Sequence, residues 1–343
     1  MQARQAVIVE PFKVDVRPAE LPAPADNQIL VQAHVSAVSP GTELAVYTGS
    51  HQWLKDPKMT DWKFPFRSGY SAAGRVVKFG KEFPGGWKEG DRVSFPGNHA
   101  SGELLTVGHE RCRVWKMPET LSFEKAAVAV IARYGMGAGI RAGITMGKSA
   151  AVLGLGVIGQ FALRCLMAAG ASPVVGIDAV KMRRDAAMKA GADYVIDPSA
   201  GDAKKQLHEL LGSGAELVAD CTGVPDAVPV AMSLADSAGQ VVVVGSPRGI
   251  AKDVNFYDDL HRRYIEVSGA HGNMLFEPNH VKLAGGWSIH KAQNWLLRQL
   301  ANGRLSLDGL ITHTIKPEEL GTAYEGLLKK KDEYLGVVVN WHK

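Results

Sequence analysis

Gly154-Leu155-Gly156-Val157-Ile158-Gly159 has the spacing that lets a backbone wrap a pyrophosphate. It follows the apolar run SAAVLGL (149–155) and opens the helical stretch VIGQFALRCLMAAG. In that setting Gly154 permits a tight turn, and Gly156 lets the backbone approach phosphate oxygens. Gly159 lets helix and strand pack closely, and Val157 and Ile158 begin the helix whose positive N-terminus holds the negative charge. Asp178 ends the next apolar run, 19 residues past Gly159. A carboxylate there accepts hydrogen bonds from ribose hydroxyls and repels a 2′-phosphate, which predicts NAD rather than NADP. Lys181, Arg183 and Arg184 follow; they read either as a solvated helix face or as cations that soften that preference.

A motif of this kind needs a parallel sheet to hold it. From about residue 149, buried-looking strands recur at 149–155, 173–178, 193–198, 216–223 and 239–246, with helical stretches at 157–169, 180–190, 202–212 and 225–237. Almost wholly apolar strands alternating with helices imply a parallel sheet covered on both faces, a doubly wound α/β fold. Such strands present their carboxyl ends to the ligand. That places Cys221, Thr222, Gly223, Gly245 and Ser246 near the nicotinamide end, with Ala270 and His271 of SGAHG after the last strand. Cys221 itself reads as a small buried hydrophobe. Residues 1 to about 130 differ: short β-branched runs at 29–38, 72–80 and 91–97 are interrupted by Gly/Pro clusters, and a short helix opens at Thr42-Glu43. After 264–272 only a helical 288–302 and a closing YLGVVVNW strand remain, so the tail returns to the N-terminal part. The predicted divisions are 1–133, 134–275 and 276–343.

Composition narrows the function. The 46% hydrophobic and 22% charged residues of this 343-residue chain are those of a globular protein with a sizeable core. The net charge of +4 is spread along the chain without a basic block, which argues against nucleic-acid and membrane partners. The start has no charged-then-apolar leader pattern, and no run reaches the roughly 20 apolar residues of a membrane helix. Cys112, Cys165 and Cys221 form no disulfide or zinc pattern. A cytoplasmic location is expected.

The order of parts, with SAVSPGTELAVYTG (36–49), RSGYSAAGRVV (67–77), GDRV (90–93) and AGADYVID (190–197), resembles the medium-chain dehydrogenase/reductase superfamily over essentially the whole chain. The resemblance implies a GroES-like catalytic domain joined to a Rossmann domain, a homodimer or homotetramer, and a small alcohol or ketone substrate. Zinc-dependent members carry a catalytic cysteine, a Gly-His-Glu and a third ligand further on. Here Ser39 or Pro40, then Gly69-Tyr70-Ser71, then Val128 to Ala132 stand at those places. None is a thiolate, imidazole or carboxylate of the kind a catalytic zinc takes three of. No metal is expected. The variants resemble the zinc-free branch that includes bacteriochlorophyllide and sugar or cyclitol secondary-alcohol dehydrogenases.

Without zinc, a side chain must accept the alcohol's proton. At the metal-ligand position Tyr70 either does this or fills the space of the lost metal. The resemblance places Thr42 as a hydroxyl relaying the substrate proton, and Glu43 as an acid that orients a neighbour or binds substrate hydroxyls. His51 would complete a relay to solvent. Ser39 and His99 fall on the substrate pocket, as do Trp53 and Trp62 with Phe64 and Phe66, whose rings suit apolar sugar faces. Two other functions stay open: an NAD(P)H-dependent quinone or enone reductase, and a dinucleotide-binding protein without turnover.

Overall fold

The computed structural model describes residues 1–83, 85–106, 113–143, 145–275 and 285–342. Cys112 and positions 276–284, where the C-terminal return was expected to begin, lie outside them. The chain divides into two compact units: Met1–Ile131, Leu296–Ala301 and Ile311–Lys343 form one, Ala132–Trp295 and Asn302–Leu310 the other. The sequence reading gave everything past 275 to the first unit. The division instead leaves 285–295 and 302–310 with the second, and two buried arginines show why. Arg133 Nη1 donates to Gln293 Oε1 at 2.8 Å, and Arg164 Nε to the Ser306 carbonyl at 2.8 Å.

In the first unit, β1 (Gln2–Glu10) and β2 (Lys13–Glu20) are antiparallel neighbours, and β1 also pairs β4 (Phe66–Arg67). A larger sheet contains β3 (Gln28–Ala37), β5 (Ala72–Phe79), β6 (Arg92–Phe95), β7 (Gly102–Thr106) and β8 (Trp115–Lys116). It is completed by β15 (Ile311–Ile315) and β16 (Gly336–Asn340), in the order β15-β16-β3-β5-β6-β8 with β7 also on β3. Helix α1 (Pro40–Tyr47) follows β3, and α9 (Leu320–Lys329) lies between β15 and β16 in sequence. The apolar faces of these helices pack with Ile8, Val38, Val337, Val339 and Trp341 in one core. Ile29, Val31, Val76, Val93 and Phe95 form another.

The second unit is the expected α/β layer. Helix α2 (Phe123–Gly135) belongs to the first unit as far as Ile131; after it come α3 (Gly137–Ala142), β9 (Ala150–Leu153), α4 (Val157–Ala168), β10 (Val174–Ile177), α5 (Lys181–Lys189), β11 (Tyr194–Ile196) and α6 (Ala203–Leu211). Then follow β12 (Ala215–Asp220), α7 (Ala227–Leu234), β13 (Ala235–Val243) and β14 (Glu266–Gly269), with α8 (Ile289–Ala301) later in the chain. The strands are parallel, in the order β11-β10-β9-β12-β13-β14. This is a Rossmann doubly wound sheet, and its order reverses between β9 and β12, where such sheets bind ligands. One element differs from the sequence reading, which ran the fourth helix to 237. The helix stops at Leu234 because Arg263 Nη1 takes the Met232 carbonyl at 2.9 Å and the chain turns into β13. Among the described residues no helix is long and apolar enough to cross a membrane.

His34 on β3 is half-buried, stacked on Phe123 at 4.2 Å and against His342 at 4.0 Å between ring centroids. Burial first, then the neighbouring His342, Arg75 and Arg92, pushes its pKa down to about 4. A histidine that protonates less readily folded than unfolded contributes stability above its unfolded pKa and loses it as pH falls toward the folded value. Denaturant midpoints should therefore fall between about pH 6.5 and pH 4. His34→Gln should show a shallower fall over that window; an unchanged slope would remove His34 from the acid response.

Candidate active site

The loop after β9 is built for a dinucleotide. Gly154 turns with φ +86°, its N–H donating to the Ile177 carbonyl at 2.8 Å. A Cβ on Gly159 would lie 1.8 Å from the Gly154 carbonyl oxygen and 3.3 Å from Cys221 Cβ, so α4 can approach β9 and β12 only through a glycine. A Cβ on Gly156 would meet nothing within 4 Å: open space stands over the first turn of α4, where a pyrophosphate needs it. Val157 and Ile158 supply that turn.

Asp178 follows β10, as the spacing implied. Its Oδ2 accepts the Leu155 N–H at 2.8 Å and its Oδ1 the Val180 N–H at 2.8 Å. The carboxylate thus fastens the phosphate loop to the next turn. A carboxylate offers about four acceptor sites, so lone pairs remain for ribose hydroxyls. Lys181 is solvated and pairs with Asp185, but Arg183 and Arg184 are not the expected solvated face. Arg184 donates to the Asp178 carbonyl at 2.7 Å and pairs with Asp197 at 2.7 Å. Arg183 Nη1 stands 3.6 Å from Asp178 Oδ2, where it offsets part of the charge that would repel a 2′-phosphate.

The other strand ends close around this switch point. A Cβ on Gly154 would meet Thr222 at 2.9 Å, and one on Gly245 would meet the Gly223 nitrogen at 2.4 Å. Asp220 Oδ1 accepts the Thr222 N–H at 2.9 Å and its hydroxyl at 2.7 Å, which folds the Cys221-Thr222-Gly223 turn. Burial holds the Cys221 thiol well above the usual cysteine range, as suits a packing residue. Ser246 and His271 are exposed, and Ala270 is buried with its N–H on the Val243 carbonyl at 2.9 Å. The residues present fit NAD: the glycine loop for the pyrophosphate, Asp178 for the adenosine ribose.

In the first unit the expected catalytic residues separate into two groups. Ser39, the N-cap of α1, makes no side-chain cap; its Oγ instead hydrogen-bonds Tyr70 Oη. Thr42 is half-buried on the first turn of α1. Glu43, one residue on, is 2% exposed, and its oxygens are engaged internally. Oε1 accepts the Ser39 N–H at 2.7 Å, while Oε2 meets His99 Nε2 at 2.8 Å and the Tyr324 hydroxyl at 2.6 Å. Trp341 Nε1 donates to Ser36 Oγ at 2.9 Å, and Ser36 Oγ lies 2.7 Å from His99 Nδ1. With the Ser36 proton on Nδ1, the imidazole carries its own on Nε2 and donates to Glu43; this tautomer is assigned from the bonding pattern.

These contacts correct several expectations. His99 is 0% exposed with both ring nitrogens engaged, so it walls no pocket, and Glu43 is not free for substrate hydroxyls. His51 is 2% exposed, stacks on Trp62 at 4.3 Å and caps a short turn through Trp53 N–H, which is a structural post rather than a solvent relay. Trp62, Phe64 and Phe66 pack on the α1/α9 core, with Trp53 edge-on to Trp62 at 4.7 Å. Tyr324, Ser36, Ser68 and Trp341 were not singled out from sequence. Tyr324 sits 281 positions from Glu43, and its one local signal was a phenol on the apolar face of an amphipathic helix.

A zinc does not fit this set. Ser71 Oγ donates to the Ala127 carbonyl, so the Tyr70 loop reaches the start of the Val128–Ile131 stretch, but that stretch offers only buried apolar side chains. Tyr70 and Ser39 bond each other. Among the described residues no three His, Cys, Asp or Glu side chains group to hold a metal ion.

The glycine geometry makes a paired prediction. Gly156→Ala should leave the unfolding midpoint within about 0.5 kcal/mol of wild type yet weaken NADH binding tenfold or more. Gly159→Ala should lower both, because its Cβ collides inside the empty fold. Fluorescence titration and thermal unfolding read the two effects separately; equal NADH affinity in Gly156→Ala would sink the assignment.

Comparison with known proteins agrees with this layout. The family model for "Zinc-binding dehydrogenase" matches residues 157–284. D-guloside 3-dehydrogenase of Escherichia coli is 25% identical over 83% of this chain and 84% of its own length. Sorbitol dehydrogenase of Bos taurus is 28% identical over 89% and 87%. A solved structure of an oxidoreductase of unknown specificity from Escherichia coli superposes with a TM-score of 0.84 at 19% identity, covering 99% of each chain. With the glycine loop at the β9–β12 reversal and a strand-rich unit of matching layout, the chain is similar to dehydrogenases of the medium-chain dehydrogenase/reductase superfamily over most of its length.

Proposed function

We propose that this protein is an NAD-dependent dehydrogenase that oxidises a secondary alcohol of sugar, polyol or cyclitol type to a ketone without zinc. The observation that carries the reading is the Ser39–Tyr70 hydrogen bond, standing where zinc-dependent relatives hold their metal. Two relatives named for action on a guloside and on sorbitol support the substrate class. Bound at the glycine loop, NAD supplies the acceptor for the hydride. The protein's remaining task is the proton. Tyr70 Oη, held by its hydrogen bond to Ser39 Oγ, is the group that accepts it from the substrate hydroxyl. Thr42, on the same helical turn as Glu43, supplies a second hydroxyl near that helix start. Cys165 and Cys221 are free thiols, which suits the cytoplasm as the place of action.

The Asp178 carboxylate supports NAD over NADP, with Arg183 beside it limiting the preference. Self-association belongs to the same proposal. β14 ends the parallel sheet among the described residues, and Val267 on it and Tyr264 just before it are exposed, a strand edge suited to a homodimer or homotetramer. Light scattering at assay concentration tests this; a monomer mass would end it.

Three measurements test the function. NAD reduction with a panel of polyols, sugars and cyclitols should survive treatment with a chelator and dialysis. If only NADPH-driven reduction of quinones or enones proceeds, the reductase replaces this reading; NADH binding with no turnover leaves a dinucleotide-binding protein. Tyr70→Phe should lower kcat by about 10²-fold with NADH affinity unchanged, and Thr42→Val should lower it less. Unchanged turnover removes that residue from the mechanism. Asp178→Asn should shift the ratio of kcat/KM for NAD to that for NADP by about tenfold or more toward NADP; an unmoved ratio would show that the carboxylate serves the loop alone.

A further inference from the structure

We propose that Tyr324 and His99 are positioning residues that, through Glu43 and Ser68, lock together the two loops carrying Ser39 and Tyr70. The inference rests on the proposed role of the Tyr70 phenol and adds to it residues from two other parts of the first unit.

The geometry has two arms meeting at one point. On one arm, Glu43 Oε1 holds the Ser39 N–H at 2.7 Å, which fixes the start of α1 from within. The Ser39 hydroxyl makes no cap and bonds Tyr70 instead. On the other arm, Ser68 is tied twice. Its carbonyl accepts the His99 N–H at 2.8 Å, and its hydroxyl stands 3.2 Å from the Tyr324 hydroxyl. Because the Tyr324 proton points to Glu43 at 2.6 Å, Ser68 is the donor in that second contact. Gly69, between Ser68 and Tyr70, has φ +90°, and a Cβ there would lie 2.6 Å from the His99 nitrogen. The Tyr70 loop can press against His99 only because that position is glycine.

The link is geometric and carries no proton to the reacting pair. Glu43 holds Ser39 through a backbone amide, which does not exchange a proton during turnover. Tyr324 is suited to a fixed donor role: burial, reinforced by the Glu43 charge, holds its hydroxyl well above the usual phenol range. Ser36 and Trp341 complete the assembly by orienting the imidazole from behind. A reacting hydroxyl misplaced by about 1 Å can cost 10²-fold in rate, so the lock has a measurable consequence.

Tyr324→Phe keeps the ring and removes one donor; Glu43→Gln keeps the shape and one acceptor for Ser39. Both would be studied as the full chain, with rates normalised to NADH-binding sites so that lost folding does not count as lost turnover. Tyrosines carrying ¹³C at Cζ give an NMR signal for Tyr70, assigned by its disappearance in Tyr70→Phe. In Tyr324→Phe the Tyr70 signal should move and kcat should fall between about 10- and 100-fold with KM and NADH affinity unchanged. Glu43→Gln should move the same signal; if it fails to fold, Tyr324→Phe alone decides. An unmoved Tyr70 signal in a folded Tyr324→Phe overturns the inference, whatever the rates. A moved signal in an enzyme whose Tyr70→Phe variant is fully active upholds the lock and overturns only the proton-transfer role of Tyr70.

Discussion

The Glu43 carboxylate is buried among apolar core residues of the first unit, and a buried charge is tolerated only when its oxygens are met by donors. That requirement brings four segments to one place. The N-cap of α1 must offer an amide, the loop after β6 an imidazole, α9 a phenol, and the Ser68 loop must reach Tyr324. Details that look unrelated follow from it. Glu43 holds the Ser39 amide, while the Ser39 hydroxyl makes no cap and bonds Tyr70. Gly69 must be glycine because the loop that carries Tyr70 is drawn against His99. Trp341, near the chain end, spends its indole N–H on Ser36 so that the imidazole faces the right way.

The second unit is held by a different kind of constraint. Its decisive contacts are between backbones, not side chains: a helix, a strand and a turn come closer at Gly159 and Gly154 than any Cβ permits. Asp178 then ties that turn to the next one through two amides. A site made of backbone approach tolerates wide change in the surrounding side chains while keeping its shape. A site made of one buried carboxylate does not, because losing any donor leaves the charge exposed to an apolar interior.

This difference explains what could be read from the sequence. The parallel sheet and the phosphate loop were legible because local pattern encodes them: apolar strands alternate with helices, and Gly154, Gly156, Gly159 and Asp178 lie within one local stretch. The end of α7 was not, since an arginine about thirty residues later sets it. Glu43 and His99 were picked out as chemistry-bearing residues, His99 for the substrate pocket and Glu43 for orienting a neighbour or binding substrate. Their mutual bond across 56 positions, and Tyr324 across 281, carry no local pattern. Trp62 and His51 misled for a related reason, since an aromatic run reads the same whether it walls a pocket or packs a core.

The acid at position 43 also bears on how the site would keep its geometry without a metal, as proposed. The resemblance places there an acid that orients a neighbouring histidine or backbone. Here the corresponding ligand position is Tyr70, and the metal-competent side chains are gone from the neighbouring positions. An unaltered acid would then face an uncompensated charge in a dry interior. Taking up His99 and Tyr324 as donors removes that penalty without deleting the acid. The same change gives Ser39 and Tyr70, which occupy the vacated ground, a rigid support. Under the proposed metal-free reading the hydrogen-bonded clamp does what an ion would otherwise do: the hydroxyl pair can act only where the charge behind it is already satisfied.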